Sequence, residues 1–201
     1  MLLNDIPKGI KGFIFDFDGT LCDTMPIHYI AWKNAVSPYG INFTTELFDT
    51  LAGIPVYETI EELNLRFGTR MDAKSVGDKK EAEYAKSMHM VCPIEPVLDV
   101  VKHFHGNIPM TVGTGGWRSL TESVLKQCNM MSYFDAIVTS EDVKKHKPHP
   151  ETFLKCAEIM QIAPKDCLVF EDGILGMQAA EACGMKWIDV RNYYEVTIGK
   201  E

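Results

Sequence analysis

The chain has 201 residues, 46% of them hydrophobic, and a formal net charge of −8. That apolar fraction supports a full core and excludes a disordered chain, and the length suits one domain or a domain carrying a modest insert. The acidic balance leaves no basic footprint for nucleic acid or anionic lipid, and no apolar run approaches a membrane span, so neither nucleic acid nor a membrane is expected as a partner.

Met1 to Lys11 contains Asp5 and Pro7 and lacks the apolar centre of a secretion signal. Gly12-Phe13-Ile14-Phe15, running into Asp16, is a short apolar run suited to a strand buried on both faces. From Leu21 to about Pro96 the patterns are helical. Ile27, Ile30 and Ala31 share one face, with Thr24 placed to cap that helix. Ile60, Leu63 and Phe67 share another, and Lys79 to Met90 is polar and helical. This interval is too long for a crossover connection. It reads as a helical cap, 21–95, inserted between core segments 1–20 and 96–201, with Pro93 and Pro96 marking the return. Gly19 and the stretch Thr20 to Asp23 read as the first hinge strand.

Further apolar runs follow at Met110-Thr111-Val112, Ala136-Ile137-Val138, Cys167-Leu168-Val169-Phe170 and Trp187-Ile188-Asp189-Val190. Between them lie three helical stretches. Ser119 to Cys128 carries Leu120, Val124 and Cys128 on one face. Pro150 to Met160 carries Phe153, Ala157 and Met160, and Gly173 to Cys183 stops at Gly184. Five strands alternating with helices predict an α/β fold, a parallel sheet covered on both faces. The six cysteines contain no C-x-x-C pair, so they read as buried reduced thiols in a cytoplasmic chain.

Ligands of open parallel sheets bind beyond the carboxyl ends of the strands. There the sequence places Asp16-Phe17-Asp18-Gly19-Thr20, then Gly113-Thr114-Gly115-Gly116, then Lys147-Pro148, then Glu171-Asp172-Gly173. An EF-hand is excluded because its sixth position would be Leu21, not glycine, and neither a dinucleotide fingerprint nor a Walker loop occurs. Carboxylates without histidine or cysteine partners favour a hard cation, Mg²⁺ foremost. Taken singly, Thr114 suits a helix cap, Lys147 a solvated lysine, and Glu171-Asp172 cap residues.

Together and in this order, Asp16-x-Asp18-Gly19-Thr20, Thr114, Lys147-Pro148 and Glu171-Asp172 resemble the four motifs of the haloacid dehalogenase superfamily. The stretches 143–148 and 169–172 resemble the subgroup of β-phosphoglucomutase and small sugar-phosphate phosphatases, and Pro109 to Arg191 is most similar to bacterial fructose-1-phosphate phosphatases. The resemblance implies a Rossmann-like five-stranded parallel sheet with an inserted α-helical cap. It implies that Asp16 attacks phosphorus and that Asp18 handles the proton. Mg²⁺ would be held by Asp16, the Asp18 carbonyl and Asp172, with Glu171 in the same shell. Thr114, Lys147, Gly115 and Gly116 would hold the phosphate.

In the cap, His28 and Lys80 align with substrate-positioning residues of the subgroup, Thr24 and Trp32 with its hinge positions, and Gly53 with its cap loop. The arginine by which the mutase grips a second phosphate is replaced by Val56, although Arg66 or Arg70 could substitute. Hydrolysis of a small phosphorylated sugar is therefore expected over phosphoglucomutase activity, with a non-catalytic phospho-ligand binder ranked third. A monomer or weak homodimer is expected.

Overall fold

The computed structural model describes residues 1–195. In chain order its principal elements are β1 (Gly12–Phe15), α1 (Met25–Val36), α2 (Thr45–Leu51), α3 (Val56–Phe67), α4 (Ala73–Ser87), α5 (Glu95–Phe104), β2 (Met110–Gly113), α6 (Arg118–Gln127), β3 (Ala136–Val138), α7 (Glu151–Met160), β4 (Cys167–Glu171), α8 (Ile174–Ala182) and β5 (Lys186–Asp189). The described residues divide into two compact units, 1–23 with 92–195, and Thr24–Val91.

The first unit is built on a five-stranded parallel sheet of order β3-β2-β1-β4-β5. β1, β2 and β4 are buried along their whole length, which is why each reads as an unbroken apolar run. Alternate residues of β1 face opposite layers. Ile14 joins Val169, Phe153, Cys156, Ala157, Ala179 and Ala180 in the layer formed with α7 and α8. Phe13 and Phe15 face the other way, where Phe170 stacks on Phe15 at 4.5 Å and meets Phe13 edge-on at 5.4 Å, and Phe104 of α5 closes on Phe13 at 5.0 Å.

Helix α8 ends in a Schellman turn. Gly184 adopts a φ of +70°, and the Met185 and Gly184 amides reach back to the Ala180 and Glu181 carbonyls at 2.9 and 3.0 Å. The segments 21–23 and 92–94 pair antiparallel. Asp23 N–H donates to Cys92 O, Ile94 N–H donates to Leu21 O, and Cys22 sits opposite Pro93.

The second unit packs its four helices around Trp32, Val36, Phe43, Phe48, Leu51, Ile60, Leu63 and Val76. Three expected helix faces are corrected. Ile30 is 50% exposed, and the buried arc of α1 runs instead through Ile27, Ala31, Trp32, Ala35 and Val36. Phe67, the last residue of α3, is 46% exposed. Helix α6 buries Thr121, Val124 and Leu125, leaving Leu120 and Cys128 half-buried. In each case the outlying residue lies near one end of its helix or at the edge of the apolar arc, where the neighbouring element decides which side is covered. Thr24 does stand at the N-cap of α1, but its hydroxyl makes no capping bond. All six cysteines are reduced, with Cys92 exposed and Cys128 and Cys183 half-buried rather than buried. No helix among the described residues is long and apolar enough to cross a membrane.

The three-ring stack at the sheet centre yields a first prediction. Phe170→Ala should destabilise the protein by about 3–5 kcal/mol, as large-to-small changes in close-packed cores do. It would be read as a lower urea midpoint at unchanged slope; an unmoved midpoint would show that this layer does not bear the sheet.

Candidate active site

Asp16 follows β1 directly, and its N–H donates to Phe170 O at 2.9 Å. Because Phe15 is registered against Phe170, Asp16 stands beside Glu171, the last residue of β4. Between these two carboxylates lies Lys147. Its Nζ donates to Asp16 Oδ1 at 2.6 Å and to Glu171 Oε1 at 2.7 Å, and none of the three side chains is more than 10% exposed. The ammonium also lies 4.7 Å from the centre of the Phe153 ring.

Lys147 comes from the loop between β3 and α7, which is braced at both ends. Thr139 and Asp142 form a capping box. The Lys144 and Lys145 amides donate to the Glu151 carboxylate of α7 at 2.9 and 3.1 Å. The Lys147–Pro148 peptide is cis.

Glu171 is fixed from its other side. Its Oε2 accepts the Asp172 and Gly173 amides at 2.8 and 2.7 Å, at the N-terminus of α8, where the helix dipole favours a negative charge. A Cβ on Gly176 would fall 1.7 Å from Glu171 Oε1, so this helix position tolerates glycine alone while the carboxylate keeps its place. Asp172 Oδ1 accepts the Thr20 hydroxyl at 3.0 Å.

Burial, reinforced by Glu171, Asp172 and Asp18 and opposed by Lys147, raises the Asp16 carboxyl well above the ordinary range. Burial, then the Glu171 charge, pushes Asp172 up to about 7. Burial works against the Lys147 charge, but Asp16 and Glu171 outweigh it and raise its pKa. Asp16, Glu171 and Asp172 each offer an oxygen, and these atoms all lie within 4.8 Å of one another. An all-oxygen set of mutually repelling acids fits a hard divalent cation such as Mg²⁺, whose charge would relieve that repulsion.

Thr114, buried after β2, donates its N–H to Val138 O, and its hydroxyl accepts the Gly116 amide at 2.9 Å. Gly116 O in turn accepts the Ser140 hydroxyl at 3.0 Å. Gly115 stays exposed. A Cβ on Gly116 would come 3.4 Å from Asp18 Oδ2, so Asp18 and the Thr114 turn are brought together. The N-cap of α6 is Trp117, so Thr114 does not cap that helix, and α8, whose N-cap is Gly173, has no side-chain cap either; the amides Glu171 accepts are those of the two residues before it.

Within the second unit, Lys80 is 3% exposed. Its Nζ lies 2.9 Å from His28 Nδ1 and 2.9 Å from Glu81 Oε1. Trp32 and Tyr84 flank that ammonium, each ring centre at 5.6 Å, and Tyr84 stacks on His28. Gly53 lies in the exposed turn between α2 and α3. Val56 opens α3 and packs on the apolar core of its unit, while Arg66 is engaged by Glu62 and Thr50.

Three contributors are not marked in the sequence: Ser140, Glu81 and Gly176. Of these, only Gly176 carries a local signal, as a glycine inside a helical stretch, while Thr20 stands in the first motif.

Residues 13–190 match the sequence model of the haloacid dehalogenase-like hydrolases. The chain is 41% identical over 184 residues to the fructose-1-phosphate phosphatase YqaB of Escherichia coli, covering 90% of this chain and 96% of that protein. A hydrolase from Pseudomonas syringae superposes with a TM-score of 0.81 at 25% identity, covering 92% and 87% of the two chains. A β-phosphoglucomutase from Clostridium difficile superposes with a TM-score of 0.75 at 27% identity, covering 89% and 83%.

The acid cluster predicts how cation binding varies with pH. Asp172 holds its proton up to about pH 7 in the folded protein, against 3.8 ordinarily. Between those values the folded chain binds more protons than the unfolded one, so without cation stability falls as pH rises. Mg²⁺ binds the ionised acids, so its stabilisation should grow from pH 6 to pH 8. Thermal unfolding with and without Mg²⁺ checks this, and Asp172→Asn should abolish most of the shift. An equal shift at both pH values would place the cation elsewhere.

Proposed function

The chain belongs to the haloacid dehalogenase-like hydrolases, and within that family we propose that it is a Mg²⁺-dependent phosphatase of small sugar monophosphates resembling fructose 1-phosphate. The observation that carries this reading is the buried Asp16–Lys147–Glu171 bridge with Asp172 alongside. It offers a fixed carboxylate at a strand end, a fixed ammonium beside it and an oxygen cage for a cation. The 41% relative supplies the substrate class.

On this reading an Asp16 oxygen attacks phosphorus while the sugar oxygen departs with a proton from Asp18, leaving a phosphoryl group on Asp16. Water then attacks that phosphorus, Asp18 takes its proton, and phosphate is released from a regenerated Asp16. Lys147 and Thr114 hold the equatorial phosphoryl oxygens as their charge shifts. Asp16 and Asp172 would hold Mg²⁺ together with the Asp18 carbonyl, and Glu171 would join or orient that set. When bound, the cation lowers the repulsion between phosphate and Asp16. Gly115 would lend its amide, since the Gly116 amide is engaged by Thr114.

Segments 1–20 and 96–201 are assigned as the catalytic core and 21–95 as the cap. His28, Lys80 and Gly53 are assigned to substrate selection, the cytoplasm as the compartment, and a monomer or weak homodimer as the assembly. Val56 argues against a mutase: an apolar side chain packed in its own unit's core offers no fork for a second phosphate.

A phosphate-release screen over sugar phosphates tests the reading. Release should require Mg²⁺, Asp16→Asn should lower turnover more than about 10³-fold, and Asp18→Asn should lower it by about 10²–10⁴-fold. β-Glucose 1-phosphate should yield glucose and phosphate. Efficient glucose 6-phosphate formation would overturn hydrolysis in favour of phosphoryl return, and full activity in Asp16→Asn would remove the nucleophile.

A further inference from the structure

The side chains proposed to hold the phosphoryl oxygens come from different loops, Thr114 from the one after β2 and Lys147 from the one after β3. Lys147 is anchored by Asp16 and Glu171. The Thr114 turn is confined in another way. A Cβ on Gly115 would meet nothing within 4 Å, so packing does not fix it. Hydrogen bonds run instead from the turn to the segment 137–142. Thr114 N–H donates to Val138 O at 2.9 Å, and Gly116 O accepts the Ser140 N–H at 3.2 Å and the Ser140 hydroxyl at 3.0 Å. Arg118, the first residue of α6, extends this seam. Its N–H donates to Glu141 Oε2 at 3.1 Å, and one guanidinium nitrogen donates to Ile137 O at 3.1 Å and to Asp142 Oδ2 at 2.5 Å. The other terminal nitrogen donates to Glu122 Oε1 at 3.4 Å.

We propose that Arg118 and Asp142 are a positioning pair for phosphoryl transfer, holding the Thr114–Gly115 turn at the spacing from Lys147 that the transition state requires. The same Asp142 oxygen accepts the Thr139 N–H and hydroxyl at 2.7 and 2.9 Å, so the pair joins α6 to the turn that closes β3. The Asp142 carbonyl accepts Lys155 Nζ of α7 at 2.7 Å, and α7 also receives the Lys144 and Lys145 amides on Glu151, just ahead of Lys147. Burial works to raise the Asp142 carboxyl, but the Thr139 bonds and the Arg118 guanidinium outweigh it and hold it below its ordinary range. The pair is therefore charged, and its bond is charge-assisted.

The Arg118 and Asp142 side chains are 37% and 26% exposed, and ion pairs so placed add little to global stability. Their effect is local. Without them the Thr114 turn keeps its bonds to Val138 and Ser140 but loses the tie that fixes α6 against the 137–142 segment. Lys147 stays with its two carboxylates, so the spacing between the two phosphate-holding groups loosens. Displacements of about 1 Å around reacting groups cost up to about 10²-fold in rate. The guanidinium itself is engaged by three acceptors, which suits a brace rather than a substrate grip.

Two measurements on the full chain test the pair. In Mg²⁺-dependent phosphate release from fructose 1-phosphate, Arg118→Ala should lower kcat by about 10–10²-fold with KM within about threefold, the mark of an interaction felt in the transition state. Asp142→Asn, which keeps the side chain's size and carries the test where Arg118→Ala does not fold, should lower kcat at least about threefold with KM likewise held. The double variant should lose no more than the worse single one, because the two act as a unit. Glu122→Ala should match the unaltered protein. A raised KM at unchanged kcat would make Arg118 a substrate grip. Losses that multiply in the double variant, or an equal loss in Glu122→Ala, would likewise overturn the pair. Amide hydrogen exchange without substrate is the second measurement: the Gly116 and Ser140 amides should exchange at least tenfold faster in Arg118→Ala, and unchanged exchange would overturn the brace. The kinetic effect rests on the phosphatase reading, whose failure would show as no phosphate release from the unaltered protein, whereas the exchange readout needs no activity.

Discussion

The site depends on one buried ammonium held between two carboxylates. Lys147 donates to Asp16 and to Glu171 with almost no solvent contact. Each of these ions alone would carry a heavy desolvation cost, and removing one partner of such a group strands the others. Their arrangement is maintained because each member is positioned by backbone rather than by its own preference. Asp16 is set by the pairing of β1 with β4, Glu171 by two amides and the cleft at Gly176, and Lys147 by a loop bound to the start of α7. With Asp172 added, the cluster still carries an excess of negative charge. Burial is the main reason Asp16 and Asp172 are raised, and that excess adds to it and makes a cation the natural complement.

Strand order explains why these residues meet. The chain runs from β1 outward through β2 to β3, then returns to β4 on the other side of β1 before β5. The order reverses between β1 and β4, and a crevice forms at such a point beyond the carboxyl ends of the strands. Asp16 stands on one side of it and Glu171 with Asp172 on the other. The turn after β2 brings Thr114 and Gly116 against Asp18, and the loop after β3 reaches back with Lys147. Residues 131 positions apart in sequence become neighbours because parallel strands present all their following loops on one edge.

Much of this was legible in the sequence. β1, β2 and β4, buried along their length, leave continuous apolar runs, and the less covered edge strands β3 and β5 also show as short apolar runs; the polar residues directly after the strands share one edge of the sheet. Helix faces were less legible. Ile30 and Phe67 fit a helical stripe, yet both are substantially exposed, because a stripe wider than the partner surface leaves its margin uncovered. The stretch Lys79 to Met90 reads as polar, yet within it α4 buries Lys80, Glu81 and Tyr84. Charged residues can be buried when they pair with each other, and pairing across 52 positions, as between Lys80 and His28, leaves no local pattern. Ser140 is unreadable as a contributor for the same reason: its role lies in a hydrogen bond to a residue far along the chain.

The two buried lysines define different tasks on the proposed assignment. Lys147 is shared by two carboxylates at the end of a strand, so its charge is directed at the place where a phosphoryl group would be transferred. Lys80 has one carboxylate partner and one imidazole, and two aromatic rings flank it. Such a group is oriented and partly neutralised, and suits recognition of neutral oxygens better than capture of a second dianion. Val56, partly buried against the apolar core of the same unit, points in the same direction. A chain with one strong anion site and one tempered cation among aromatic rings favours a substrate with a single phosphate and a hydroxylated body. On the proposed reading, phosphoryl return to a sugar would require two phosphate grips and release to water one, and Val56 supplies no second grip.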